Sequence, residues 1–71
     1  MAFRPVQTRV MIREFTRAGW TRARTNGSHT VWNCRSGRHH FTLPDGHREI
    51  SGGVAQKARA ALAGDECEEQ T

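Results

Sequence analysis

Gly27, Ser28 and His29 stand together between two strand-like stretches, and this is where the residue types first suit chemistry. Histidine has an unperturbed pKa of about 6.5, so at neutral pH an imidazole can take a proton from a ribose 2′-hydroxyl or return one to a leaving 5′-oxygen. Gly27 lets the backbone turn sharply and lets a phosphate approach closely; Ser28 can bind that phosphate or fix the turn. A cation must offset the charge that grows on the phosphorane, and Arg22, Arg24, Arg35 and Arg38 are the nearest candidates in the folded chain. The plain alternative is a strand-end histidine that closes a hairpin and does no chemistry.

Three further histidines, His39, His40 and His47, together with Cys34, raise the question of zinc, because imidazole and thiolate are its usual ligands. Their spacing forms no paired CxxC or HxxxH unit, and adjacent strand residues such as His39 and His40 point to opposite faces, so no metal or other cofactor is expected. Surface contact with RNA, or a plain exposed position, is the expectation for these three. Cys34 and Cys67 are the only cysteines, and no disulfide framework is expected from them.

Charge is distributed unevenly. Asp65, Glu66, Glu68 and Glu69 close the chain, so residues 1–64 hold every basic side chain against only Glu14, Asp45 and Glu49, a net charge of +8. All the bases but Lys57 are arginine, whose planar guanidinium donates two parallel hydrogen bonds to phosphate. A polyanion is therefore the expected partner, against the alternative that arginine merely solubilises the surface. With 71 residues the chain makes one domain and has no room for a deep substrate cavity, so catalysis must come from a few groups on a shallow surface. No apolar run approaches the roughly 20 residues that span a bilayer, and no signal segment stands out; no membrane association and a cytoplasmic location are expected.

These groups must be positioned by short elements. Residues 1–7 read as a flexible leader. Thr8 reads as a helix cap, with Met11, Ile12, Phe15 and Ala18 as one apolar stripe and Gly19 as the stop. Residues 20–25 read as a strand, Asn26-Gly27 as a tight hairpin turn, and residues 29–35 as the partner strand. After Ser36-Gly37, residues 38–43 give a third strand ended by Pro44-Asp45-Gly46. Period-two alternation buries Trp32, Cys34, Phe41 and Leu43, and leaves His29, His40, Arg22 and Arg24 on the open face. Ser51 caps a second helix over residues 54–63, ended by Gly64, and residues 65–71 read as a disordered acidic tail. The expected fold class is α+β: a two-layer sandwich in the order α-β-β-β-α, with a three-stranded antiparallel sheet and two helices on one face.

The run of Ala18-Gly19-Trp20, Gly27-Ser28-His29, Trp32, Gly37-Arg38, Leu43-Pro44, Glu49-Ile50 and a glycine-then-helix ending resembles the HicA family over residues 8–64. These are small toxin ribonucleases on a double-stranded-RNA-binding-domain-like (dsRBD-like) fold. The resemblance implies a metal-independent endoribonuclease that cleaves messenger RNA, with His29 as the catalytic residue and a cognate HicB-like antitoxin that neutralises it. Many family members carry a second histidine shortly after the Leu/Val-Pro that ends the third strand. Here Leu43-Pro44 is followed by Asp45-Gly46, with His47 one position later, and the second helix is richer in alanine than is usual in the family.

Two other readings come from different classes: a non-catalytic RNA-binding module that recognises A-form shape and phosphates, and a small viral or mobile-element regulator that binds a host protein. The charge supports a testable expectation common to the first two. RNA affinity should fall steeply with salt, each neutralised phosphate contributing a slope of roughly −0.7 to −0.9 in log K against log salt. A fluorescence titration across salt concentrations that shows a flat response removes the polyanion partner.

Overall fold

Helix α1 (Thr8–Arg17) buries Met11 and Phe15, one turn apart on the apolar stripe, with Ile12 and Ala18 packed at its margin. The structure, a computed structural model, describes residues 4–64; the expected acidic tail and Cys67 lie outside the described residues. Helix α1 ends in a Schellman turn. The N–H of Gly19, at φ +90°, donates to the Thr16 carbonyl (3.0 Å), and the N–H of Trp20 donates to that of Phe15 (3.0 Å). The apolar contact that accompanies this motif is Trp20 against Phe15, edge to face with ring centroids 5.2 Å apart. Gly19 thus ends the helix as expected, but Thr8 is not its cap. Gln7 occupies the cap position without a side-chain bond to the helix backbone, while the buried Thr8 hydroxyl donates to the His47 carbonyl.

Val6–Gln7, expected to belong to the leader, forms a two-residue strand β1 that pairs antiparallel with another, Glu49–Ile50. Between them run three longer strands, β2 (Thr21–Asn26), β3 (His29–Asn33) and β4 (His40–Leu43), and the short Glu49–Ile50 strand is β5. Strands β2, β3 and β4 form an antiparallel sheet with β3 in the middle. Pairing sets Trp32 opposite Phe41 and Thr30 opposite Leu43, so these four share one face, and that face carries the core.

Helix α2 (Gly52–Ala63) starts two residues before the expected Val54, and Ser51 caps it by accepting the Val54 N–H (3.4 Å). Ala55 and Ala58 are its buried contacts, with Val54, Ala61 and Leu62 at the margin. Residues of both helices and of one sheet face meet in a single cluster, giving a small α+β fold of two helices and a three-stranded antiparallel sheet.

The two helices are also tied across their exposed sides. Arg59 of α2 grips Glu14 of α1 with two hydrogen bonds, Nε to Oε1 (3.1 Å) and Nη2 to Oε2 (2.8 Å). The Arg59 hydrogen bond, helped by its charge against the opposing effect of burial, lowers the Glu14 pKa from its ordinary 4.5. A carboxyl whose pKa is lower folded than unfolded stabilises the fold above its unfolded value, and that stability is lost as pH falls through the folded value. Both side chains are well exposed, so the pair contributes at most about 1 kcal/mol. Glu14→Gln should therefore lower stability slightly at neutral pH, and its urea midpoint should converge on that of the parent once the pH is acidic enough to protonate Glu14.

Candidate functional site

The hairpin between β2 and β3 closes on the pair Asn26 and His29, so the two-residue turn is Gly27-Ser28. Gly27 has φ +63° and no other residue type among the described residues has positive φ, which makes the turn type II′, with glycine in its required first position. The expected Asn-Gly turn is thus displaced by one residue: Asn26 ends the strand. His29 opens β3, exposed, on the sheet face opposite the core. Its Nδ1 lies 3.4 Å from the Ser28 hydroxyl, a long contact in which either atom can donate.

The loop after β4 is pinned against this turn. The Asp45 N–H donates back to the Leu43 carbonyl (2.8 Å), and the Asp45 carboxylate accepts from the Thr30 hydroxyl (2.8 Å), which lies 3.2 Å from that of Thr25. Next, the Gly46 N–H donates to the Ser28 carbonyl (2.9 Å). The fit is tight: a Cβ on Gly46 would stand 2.5 Å from the Ser28 Cβ and 2.6 Å from its Cα. His47 and Arg48 then bind α1, through the Thr8 hydroxyl to the His47 carbonyl and the Thr8 N–H to the Arg48 carbonyl (2.9 Å). With successive Cα atoms about 3.8 Å apart, the contact of Gly46 with Ser28 holds the Cα atoms of His29 and His47 within about 12 Å. Two exposed imidazoles therefore share one end of the molecule.

The four arginines expected around His29 do not gather there. Between Arg22 and Arg24 the register of β2 shifts through a bulge, with Ala23 the extra residue. One added residue reverses the alternation, so Arg22 and Arg24, two apart, point to opposite faces. Arg22 pairs with Trp32 and lays its guanidinium 5.3 Å from the centroid of that ring, over the outer edge of the core. Arg24 pairs with Val31 on the open face, diagonal to His29, where Cα atoms are about 7–8 Å apart. Arg35 and Arg38 lie in the turn between β3 and β4, beyond Asn33, at the other end of the sheet; the Arg35 side chain packs where a Cβ on Gly19 would fall. His40 pairs with Asn33 at that same far end, four residues along β3 and about 13 Å from His29.

Other groups take their place at the near end. Gln7, Thr8, Arg9, Ile12 and Arg48 line a cavity of about 470 Å³ beside the pinned loop, and Arg9 donates to the Gln7 side chain (2.9 Å). Arg9 and Arg48 are 39 residues apart in the chain, and the pairing of β1 with β5, with the hydrogen bonds of Thr8 to His47 and Arg48, brings them together. No local signal marks them.

Among the described residues no group of three or more His, Cys, Asp or Glu side chains comes together. The Cys34 sulfur accepts from the His39 N–H (3.3 Å) and lies 3.8 Å from its Nδ1. Cys34 is disulfide-bonded, which corrects the expectation that no disulfide framework forms. No helix among the described residues is long and apolar enough to cross a membrane. No family model matches the chain, and neither a curated protein nor a solved structure matches it significantly.

The bulge makes the two β2 arginines separable by experiment. Arg22→Ala should destabilise the fold by about 0.5–1 kcal/mol through the lost contact with Trp32. Arg24→Ala should leave stability within about 0.5 kcal/mol of the parent and weaken RNA binding with a shallower salt slope. Denaturant melts and salt titrations of the two variants check this, and identical effects from both would contradict the opposite-face placement.

Proposed function

We propose that the protein is a HicA-like toxin, a metal-independent endoribonuclease that cleaves messenger RNA, on a fold akin to the double-stranded-RNA-binding domain. The observation that carries the reading is the placement of His29: exposed on the open sheet face, next to a glycine turn that a phosphate can approach, with Arg24 diagonal to it. Neutral His29 accepts the 2′-hydroxyl proton while O2′ attacks phosphorus. The P–O5′ bond breaks, the 5′-oxygen takes a proton from an imidazolium, and the products are a 2′,3′-cyclic phosphate and a 5′-hydroxyl. Arg24 offsets the charge on the phosphorane. His47, held at the same end, supplies a second imidazole, so acid and base need not be the same group. A cognate HicB-like antitoxin would act by covering this exposed end.

The non-catalytic RNA-binding reading draws on one observation of its own. The arginines spread over both faces and both ends of the sheet, a pattern suited to a broad phosphate footprint.

One variant separates the two. His29→Ala opens no core cavity and should change stability by no more than about 0.5 kcal/mol, while removal of the proton carrier lowers the cleavage rate by on the order of 10² to 10⁴. RNA affinity should stay close to that of the parent, and growth inhibition should disappear. Cleavage is measured with and without EDTA, and activity should persist in the chelator. If the parent binds RNA and never cleaves it, or if His29→Ala cleaves at the parental rate, the binding module takes the place of the nuclease.

A further inference from the structure

We infer that Thr30 and Asp45 are positioning residues for His29, which they hold through the loop that bears His47. The inference rests on the ribonuclease reading for its consequence in rate, but the geometry stands apart from that reading. Thr30 directly follows His29 in β3, and alternation sends its side chain to the opposite, covered face, where it is 3% exposed. A hydroxyl buried this fully needs a partner, and it donates to the Asp45 carboxylate at 2.8 Å across fifteen residues of chain. Asp45 is one of only three acids in residues 1–64, and its half-buried side chain reaches the Thr30 hydroxyl on the covered side of β3.

That bond sets the position of Gly46. Because the Asp45 N–H already closes a tight turn onto Leu43, the loop has little freedom left once the carboxylate is tied to Thr30. Gly46 is then delivered to the Ser28 carbonyl at 2.9 Å, close enough that a methyl group on it would collide with Ser28 backbone and side chain alike. A two-residue hairpin turn is otherwise held only by its own strand pair. Here its second residue is clamped from outside, and Ser28 in turn touches the His29 ring at Nδ1. The clamp holds the turn that places the Ser28 hydroxyl 3.4 Å from Nδ1, and so leaves Nε2 as the nitrogen open to an incoming phosphodiester. It also sets where His47 stands relative to His29, since His47 directly follows Gly46. Neither Thr30 nor Asp45 touches RNA in this arrangement; both act through the Ser28-His29 turn.

The test uses the full chain and a short RNA. Thr30→Val keeps the shape and strand propensity of the side chain and removes the donor. It should lower kcat by on the order of 10²-fold, as small misplacements of catalytic groups do, with KM and RNA affinity near the parental values. Thr30→Ser restores the donor and should recover most of kcat. Asp45→Ala should behave like Thr30→Val, Asp45→Asn should retain an acceptor and most of the rate, and the double variant Thr30→Val/Asp45→Ala should be no worse than either single one, because both break one bond. Two readouts do not need cleavage: hydrogen-exchange protection of the Gly46 N–H and the imidazole NMR signals of His29, both of which should change in Thr30→Val and return in Thr30→Ser. The proposal is overturned if Thr30→Val cleaves like the parent, if its loss is in KM with kcat intact, or if serine fails to rescue. A parent that cleaves no RNA overturns the ribonuclease reading instead, and the clamp is then overturned if Gly46 protection and the His29 signals are unchanged in Thr30→Val.

Discussion

Phe15 is the contact through which the rest of this small fold is assembled. It is fully buried, and its ring meets Trp20 at 5.2 Å, Trp32 at 5.6 Å and Phe41 at 6.0 Å between centroids, so it joins the end of α1 to the middle and one edge strand of the sheet. Burying one such ring contributes about 1.5–3 kcal/mol, and aromatic pairs add about 0.5–1.5 kcal/mol each. In a domain whose net stability is only about 0.05–0.15 kcal/mol per residue, these are large fractions of the whole. Helix α2 contributes Ala55 and Ala58 instead of bulky side chains, which leaves the bulk of the core to the aromatic cluster together with Met11, Leu43 and Ile50. Trp32 pays for its place there: its indole N–H is buried with no hydrogen-bond partner among the described residues, a loss that the ring contacts must offset.

The consequence for the candidate site is a division of labour between the two faces of the sheet. Aromatic packing holds the covered face of β3, and the same strand therefore presents His29, Val31 and Asn33 on the side away from the core that α1 and α2 cover. Rigidity at the His29 end comes from a different source, a run of four consecutive loop residues hydrogen-bonded to the rest of the fold: Asp45 to Thr30, Gly46 to Ser28, and His47 and Arg48 both to Thr8. Hydrogen bonds of this kind contribute roughly 0.5–1.5 kcal/mol each, less than the core contacts, but they act where a displacement of the backbone moves the imidazole directly. The aromatic cluster supports the sheet; the polar loop aims what the sheet presents.

Electrostatics follows the same partition. Of the three acids in residues 1–64, Glu14 is spent on Arg59 between the helices and Asp45 on Thr30 beneath the turn. Neither lies on the open face, where Arg24 is presented to an approaching polyanion, while the third, Glu49, follows Arg48 and pairs with Gln7 at the near end.

How much of this was legible in the chain depends on the range of the interaction. The α1 stripe, the Gly19 stop, the Ser51 cap, three antiparallel strands and the exposed His29 are all written in neighbours a few residues apart, where helical and extended periods operate. The buried set of Trp32, Cys34, Phe41 and Leu43 follows from the same alternation, with Phe41 at its partly buried margin. What alternation could not carry was the bulge after Arg22, because a single unpaired residue reverses every face assignment before it and depends on how β2 seats against β3. The two-residue pairing of β1 with β5 is equally silent, since neither segment is long enough to show a period. By itself the sequence determined which residues could do chemistry and on which kind of element each sits. Only the tertiary structure decided which of them meet: it separated Arg22, Arg35 and Arg38 from His29 and brought His47 and the Asp45 clamp to it, because those contacts close over long loops whose ends are matched by packing and by single buried hydrogen bonds, not by local pattern.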